Sequence, residues 1–151
     1  MFADSLYLTM NRLRWIFGIP LALSIAIGIL ILNAEFTSAI SHNELYRRSY
    51  LYYHAFVNMI CFFLFVFLSS LFIPSKRKYA ALIAVIISTA LAGIGLYDTF
   101  TQRYSEITLT ILINYAGLFA GILTGIYISY TIFKNKGWDA VKKVDNIGEM
   151  Y

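Results

Sequence analysis

Charged side chains are scarce in this 151-residue sequence: Lys, Arg, Asp and Glu together make up 13%, whereas apolar residues make up 60%. A soluble domain carries about 25% charged residues, and a chain of this size has too little interior to bury so much apolar surface. The excess must therefore face lipid. The sequence predicts an integral membrane protein, and the placement of its bases, rather than nucleic-acid binding, accounts for its net charge of +4.

The residues that usually carry chemistry are also scarce in the apolar stretches. Cys61 is the only cysteine, which excludes an internal disulfide, paired-thiol oxidation and a Cys-rich metal site. His54 is the only histidine in these stretches, so a haem held by two histidines is disfavoured. His42, Glu44 and His54 match no metal-binding motif. The sequence therefore predicts a protein that is not an enzyme, with no catalytic residue, metal or cofactor.

Four stretches reach the length of about 20 mostly apolar residues that a helix needs to cross a bilayer. A strand in lipid would leave its backbone groups unpaired, so helices are expected. The predicted fold class is an all-α integral membrane protein, an antiparallel up-down bundle of four transmembrane helices. The predicted spans are residues 15–33, 50–73, 80–97 and 108–133.

The domain organisation follows from these spans. Residues 1–133 form one transmembrane domain, with outer loops over 34–49 and 98–107. Residues 134–151 form a basic tail, which is either a short interfacial helix with apolar and basic faces or a disordered segment.

The distribution of bases predicts the orientation of the chain. Nine of the 12 Lys and Arg residues lie at the N-terminus, in the turn between spans 2 and 3, or in the tail, and three lie on the other side. Loops rich in Lys and Arg stay in the cytoplasm. Both termini are therefore expected to be cytoplasmic, and the bacterial inner membrane is the default location.

Span 4 contains three glycines spaced four residues apart, Gly117, Gly121 and Gly125. Small residues at this spacing let a second helix backbone approach closely. The partner is either another helix of the same chain or a second copy. Spans 1 and 3 also have small residues, so spans 1, 3 and 4 are predicted to pack together, with the Phe-rich span 2 supplying aromatic bulk.

Polar residues concentrate in the outer half of the predicted bundle. His54, Asn58 and Cys61 share one face of span 2, while Asn114 and Tyr115 lie at a similar depth on span 4. One interpretation is hydrogen bonding between helices, for example from Asn58 to Asn114, worth about 0.6 kcal/mol per bond. The other is a polar cleft that binds a small molecule.

The segment LYRRSYLYYH supplies a candidate contact surface at the outer rim. It contains Arg47, Arg48, Tyr50, Tyr52 and Tyr53. Arginine and tyrosine are enriched at the energetic centres of protein interfaces, but the same residues also anchor helices at the membrane surface. Both interpretations stay open.

These features predict a non-enzymatic multi-pass membrane protein that acts through helix–helix contacts. It would be a subunit of a membrane complex or an immunity-type inhibitor that binds another membrane protein, and a second copy of the chain is the other expected partner. The alternative is a protein that binds or transports a lipid, a quinone or a small solute in its outer half. A channel built on the span 4 glycines is a third option.

Overall fold

A computed structural model describes residues 2–40, 44–73, 76–102, 109–136 and 138 of the chain, and its regular structure is entirely helical. Each of the four helices contains a segment long and apolar enough to cross a membrane. The prediction of an all-helical, membrane-embedded chain with four spans is therefore confirmed. The helices are α1 (Phe2–Ile40), α2 (Glu44–Phe72), α3 (Arg77–Gln102) and α4 (Leu109–Phe133).

Helices α1 and α2 extend beyond the predicted spans at the ends that precede and follow the first connection. Helix α1 continues to Ile40 and α2 begins at Glu44, so the predicted loop over 34–49 is wrong. The segment NAEFTSAI lacks Pro and Gly and includes good helix formers. Within it, the Thr37 hydroxyl donates a hydrogen bond to the Ala34 carbonyl at 2.9 Å. Apolar content sets the span that lipid requires, but a helix continues until a residue stops it.

Helix α2 is the centre of the packing. It contacts all three other helices, most extensively α4 and then α1, whereas α3 and α4 share a smaller direct contact. The prediction that spans 1, 3 and 4 pack together around their small residues is therefore wrong. Small residues allow another helix to approach closely, but they do not determine which helix does so. Here they leave space for the bulky side chains of α2.

The main core cluster shows how this works. Phe65 and Val66 of α2 are almost completely buried. They lie against alanines of the two flanking helices, which leave the space that these larger side chains fill. The alanines are Ala22 and Ala26 of α1 and Ala81 and Ala84 of α3.

Helices α1 and α2 also meet near both of their ends. A Cβ atom added at Gly18 would lie 3.2 Å from Cβ of Phe72 and 3.1 Å from Cγ1 of the buried Ile73. At the other end, the rings of Phe36 and Tyr53 have centroids 6.4 Å apart. Residues early in α1 therefore contact the end of α2, and residues late in α1 contact its beginning.

Candidate functional site

The three glycines of α4 lie directly against α2, along a contact called here the α2–α4 seam. A Cβ atom at Gly117 would lie 2.9 Å from the carbonyl carbon of Ala55, and one at Gly121 would lie 3.0 Å from Cα of Met59. Even a methyl group would therefore collide with the backbone of α2. The small face of α4 is already covered by a helix of the same chain.

A groove of about 330 Å³ separates α3 from α4 and is called here the α3–α4 groove. Its lining is almost entirely apolar. Leu112 and Phe119, on its α4 wall, are 58% and 49% exposed, so the groove opens toward the surface that faces lipid. The lining residues are Thr89, Ala92, Gly93 and Leu96 of α3 and Ile111, Leu112, Tyr115 and Phe119 of α4.

The α3 wall of the groove is built from small residues. Thr89 and Gly93 are exposed and lie four residues apart, which places them on the same side of the helix. A Cβ atom added at Gly93 would meet nothing within 4 Å. Thr89 and Gly93 are therefore small residues at helix-packing spacing that no described helix of the chain covers.

The α4 wall is bulkier and approaches α3 at two places. Tyr115 crosses toward Gly95, whose added Cβ atom would lie 3.3 Å from the tyrosine hydroxyl oxygen. Ala92 forms a buried cluster with Leu118 and Ile122. These contacts hold α3 and α4 together around the groove, which lies in the half of the bundle where α3 ends and α4 begins.

The predicted polar cluster does not converge on this groove, since Tyr115 is its only member in the lining. The side-chain oxygen of Asn114 is buried and has no hydrogen-bond partner among the described residues. A hydrogen bond from Asn58 to that oxygen is therefore not formed. Ala55 and Met59 face α4, so the preceding residues, His54 and Asn58, lie about 100° around α2 from that contact.

Cys61 occupies a different place from the rest of the predicted cluster. It is 1% exposed and borders a void of about 40 Å³ together with Leu23 of α1, Phe65 of α2 and Leu91 of α3. Pockets that bind small molecules measure about 300–1,000 Å³. This void is too small for such a ligand, and Cys61 serves as a core residue.

The outer rim is described only in part. Tyr52 is 68% exposed. Tyr53 is half-buried, and its ring lies edge-on to the ring of His54 with centroids 5.9 Å apart. Arg47, Arg48 and Tyr50 belong to α2, but their side chains lie outside the described part of the chain, as do residues 139–151 of the predicted tail.

Buried hydroxyl groups in α2 are used within that helix. Ser69 donates to the Phe65 carbonyl at 2.7 Å, and Ser70 donates to the Val66 carbonyl at 3.1 Å. Within the residues that the structure describes, no group of three His, Cys, Asp or Glu side chains is placed to hold a metal ion. Among the described features, the α3–α4 groove is therefore the best candidate for a binding site for a helix or a small molecule.

Sequence reasoning missed most of this groove. Thr89 and Gly93 lie on the exposed side of α3, next to its buried small residues Ala84, Ser88 and Ala92. The signal available in the sequence was a second pair of small residues spaced by four. Its meaning depends on which side of α3 its neighbours cover, and the sequence does not determine that.

No protein family, curated protein or solved structure matches this chain.

Proposed function

We propose that the protein is a non-enzymatic, multi-pass membrane protein that acts by binding another membrane protein within the bilayer, as a subunit or as an inhibitor. The observation that carries this proposal is the α3–α4 groove, with the uncovered pair Thr89 and Gly93 on its wall. Helices in lipid associate by close packing, because lipid is as apolar as their side chains. An uncovered surface of small residues would allow the backbone of a partner helix to pack closely against this bundle.

The two small-residue surfaces of the bundle support this assignment by their contrast. The glycines of α4 are covered by α2 and have no space for a partner. Gly93 has open space over its Cα atom, and the exposed side chains of Leu112 and Phe119 form the opposite wall. A partner helix would place small residues against Gly93 and insert larger side chains beside Phe119.

The proposed topology is an up-down bundle with both termini in the cytoplasm. The order of contacts supports it: early α1 meets late α2, while Gly117 and Gly121 meet Ala55 and Met59 in the same chain order. The bases at the N-terminus, in the α2–α3 turn and after α4 support the cytoplasmic assignment. The bacterial inner membrane is the proposed location.

The groove can be tested by filling it. Gly93→Leu adds a large side chain where nothing lies within 4 Å of the new Cβ atom, so the bundle should fold while the groove is blocked. Gly28→Leu is the matched control, because its added Cβ atom also meets nothing within 4 Å, on α1. Native mass spectrometry of protein extracted gently from its own membrane would then measure what each variant retains.

The expected result is a stoichiometric protein partner on the wild type and on Gly28→Leu that is lost from Gly93→Leu. A photo-crosslinking residue at Phe119 should label the same partner, whereas one at the exposed Ile16 of α1 should not. A partner that stays bound to Gly93→Leu, or a wild type that carries no other protein, would refute the proposal.

A small apolar molecule is the second candidate occupant, because the groove volume of about 330 Å³ lies within the range of ligand pockets. Thr89 and Tyr115 would supply the polar contacts to a lipid or quinone. In the same experiment, a small molecule retained by Gly28→Leu and lost from Gly93→Leu would favour this alternative. A second copy of the chain as the partner would identify a homo-oligomer.

A further inference from the structure

A set of basic residues gathers at the end of the bundle opposite the groove. Lys76 and Arg77 lie at the start of α3, and Lys134 and Lys136 directly follow α4. The two segments touch, because the backbone N–H of Lys78 donates a hydrogen bond to the Trp138 carbonyl at 3.3 Å. These basic residues therefore lie at the same end of the bundle, together with the exposed Lys78.

The segment after α4 is held in place by its own contacts. The N–H groups of Lys136 and Trp138 donate to the Phe133 carbonyl at 2.8 Å and 3.2 Å. The Trp138 ring lies edge-on to the Tyr130 ring, with centroids 5.7 Å apart, and is partly buried against the core. Lys134 and Lys136 are thus carried by a folded segment.

Arg77 is the most firmly placed of the four bases. The central carbon of its guanidinium group lies 4.0 Å from the centroid of the Phe133 ring, and that ring stacks on Phe67 at 6.1 Å. Its Nε–H has no hydrogen-bond acceptor among the described residues. The face of the guanidinium group stacks on the Phe133 ring. The N–H groups along its edge are the donors that pair with phosphate oxygens.

Negative charge is not available nearby in the described part of the chain. The acidic side chains described are Glu35 and Asp98, and both lie near the other end of their helices. Among the described side chains these bases have no carboxylate beside them, and a group of bases in that state attracts an anion. The aromatic rings of Tyr79, Tyr130 and Trp138 are of the type that lies at the level of lipid head groups.

We propose that this region binds the phosphate head group of an anionic phospholipid, with Arg77 as the fixed donor and Lys76, Lys134 and Lys136 as supporting charges. A lipid is the occupant because of depth: the apolar segment of α3 begins at Arg77, and that of α4 ends at Phe133. A head group held there leaves its acyl chains alongside the two helices. Basic pockets between transmembrane helices bind anionic head groups in this way.

The test measures lipid binding to the full chain by native mass spectrometry after reconstitution in phosphatidylcholine membranes with or without phosphatidylglycerol. Phosphatidylglycerol should be retained on the wild type. The double variant Arg77→Gln/Lys134→Gln should bind it about tenfold more weakly, since charge-assisted hydrogen bonds are lost. Arg77→Lys, which keeps the charge but not the planar donor group, should give an intermediate result and guards against a folding defect.

Arg12→Gln/Arg14→Gln is the matched control, because it removes the same charge from exposed positions early in α1. This variant should bind phosphatidylglycerol within about twofold of the wild type, since solvent and salt screen exposed charges that do not contact the head group directly. An equal loss in both double variants would mean a general basic belt and would overturn the proposal. Equal retention of phosphatidylcholine, or displacement of the lipid by inorganic phosphate alone, would also overturn it.

Discussion

The two sides of α4 differ in how they meet their neighbours. Along the α2–α4 seam, its glycines bring it against the backbone of α2 at Ala55 and Met59. Toward α3, the same helix presents Tyr115 and Phe119 and leaves a groove of about 330 Å³. Inside a membrane, the distance between two helices therefore depends on the residues at their contact, because lipid provides no hydrophobic driving force for helix association.

The seam gains its contacts from backbone atoms. Carbonyl oxygens of Ala55 and Met59 lie against the Cα atoms of Gly117 and Gly121, which is the arrangement of weak Cα–H···O hydrogen bonds between helices. The groove has no comparable contact at Gly93. The seam is covered on both sides by helices of this chain, whereas the wall of the groove at Gly93 is uncovered.

The largest expected effect on stability comes from introducing the same side chain, leucine, at the seam and in the groove. Gly121→Leu forces the backbones of α2 and α4 apart, and overpacking of this kind costs about 1–3 kcal/mol or more. Gly93→Leu enters open space and should leave stability nearly unchanged. Thermal unfolding in detergent would measure both. Equal destabilisation would show that the two surfaces do not differ as described.

A smaller substitution grades the seam itself. The new Cβ atom of Gly117→Ala would meet backbone atoms of Ala55, whereas that of Gly125→Ala would lie 2.9 Å from the side-chain Cβ atom of Val66. The added Cβ atom at Gly125 would also lie 3.1 Å from the Phe63 carbonyl oxygen, but the Ala55 carbonyl oxygen approaches the added atom at Gly117 more closely than any atom does at Gly125. Gly117→Ala should therefore lower the free energy of unfolding more than Gly125→Ala. Chemical unfolding in mixed micelles would rank the two, and the reverse order would contradict the seam geometry.

The buried cluster that joins α3 to α4 beside the groove offers the next test. Leu118 is buried with Ala92 and Ile122, and Leu118→Ala removes packing that joins α3 to α4. The usual cost of about 2–5 kcal/mol should be reduced here to about 1 kcal/mol, because the separated helices face lipid rather than water. Leu112→Ala, at an exposed wall position, is the control and should have almost no effect on the unfolding midpoint.

The smallest expected change is a gain in stability. The side-chain oxygen of Asn114 is buried without a hydrogen-bond partner among the described residues, and a buried polar group in that state costs about 1–3 kcal/mol. Asn114→Leu should therefore be neutral or stabilise the bundle by up to about 1 kcal/mol. Destabilisation by this variant in a thermal unfolding experiment would mean that the amide makes a contact that supports the fold.

The spans were predictable because hydropathy is a local property of the chain. The predicted second span, 50–73, corresponds to the apolar segment Tyr52–Phe72 of the structure. The order of packing was not predictable in the same way. The phenylalanines of α2 were expected to supply aromatic bulk, and Phe65 is almost completely buried, but the sequence did not show that alanines of both α1 and α3 pack around it.

The candidate site was predictable only at one residue. Tyr115 was placed in the outer half of the bundle from its position in span 4, and it lines the groove. The only sequence signal at Gly93 is its spacing of four residues from Thr89. Its importance comes from the space above it, which depends on where α4 lies, and that position is set by the glycines of the seam.

The seam also has a consequence for the order in which the protein is made. Its two helices are separated by all of α3, and membrane proteins are synthesised from the N-terminus. Ala55 and Met59 therefore enter the membrane before Gly117 and Gly121 have been translated. The α2–α4 seam, in which the two backbones lie closest, cannot form until α4 has been inserted. Until α4 arrives, the backbone face of α2 is exposed to other helices in the membrane, and a chain that ends early keeps it exposed.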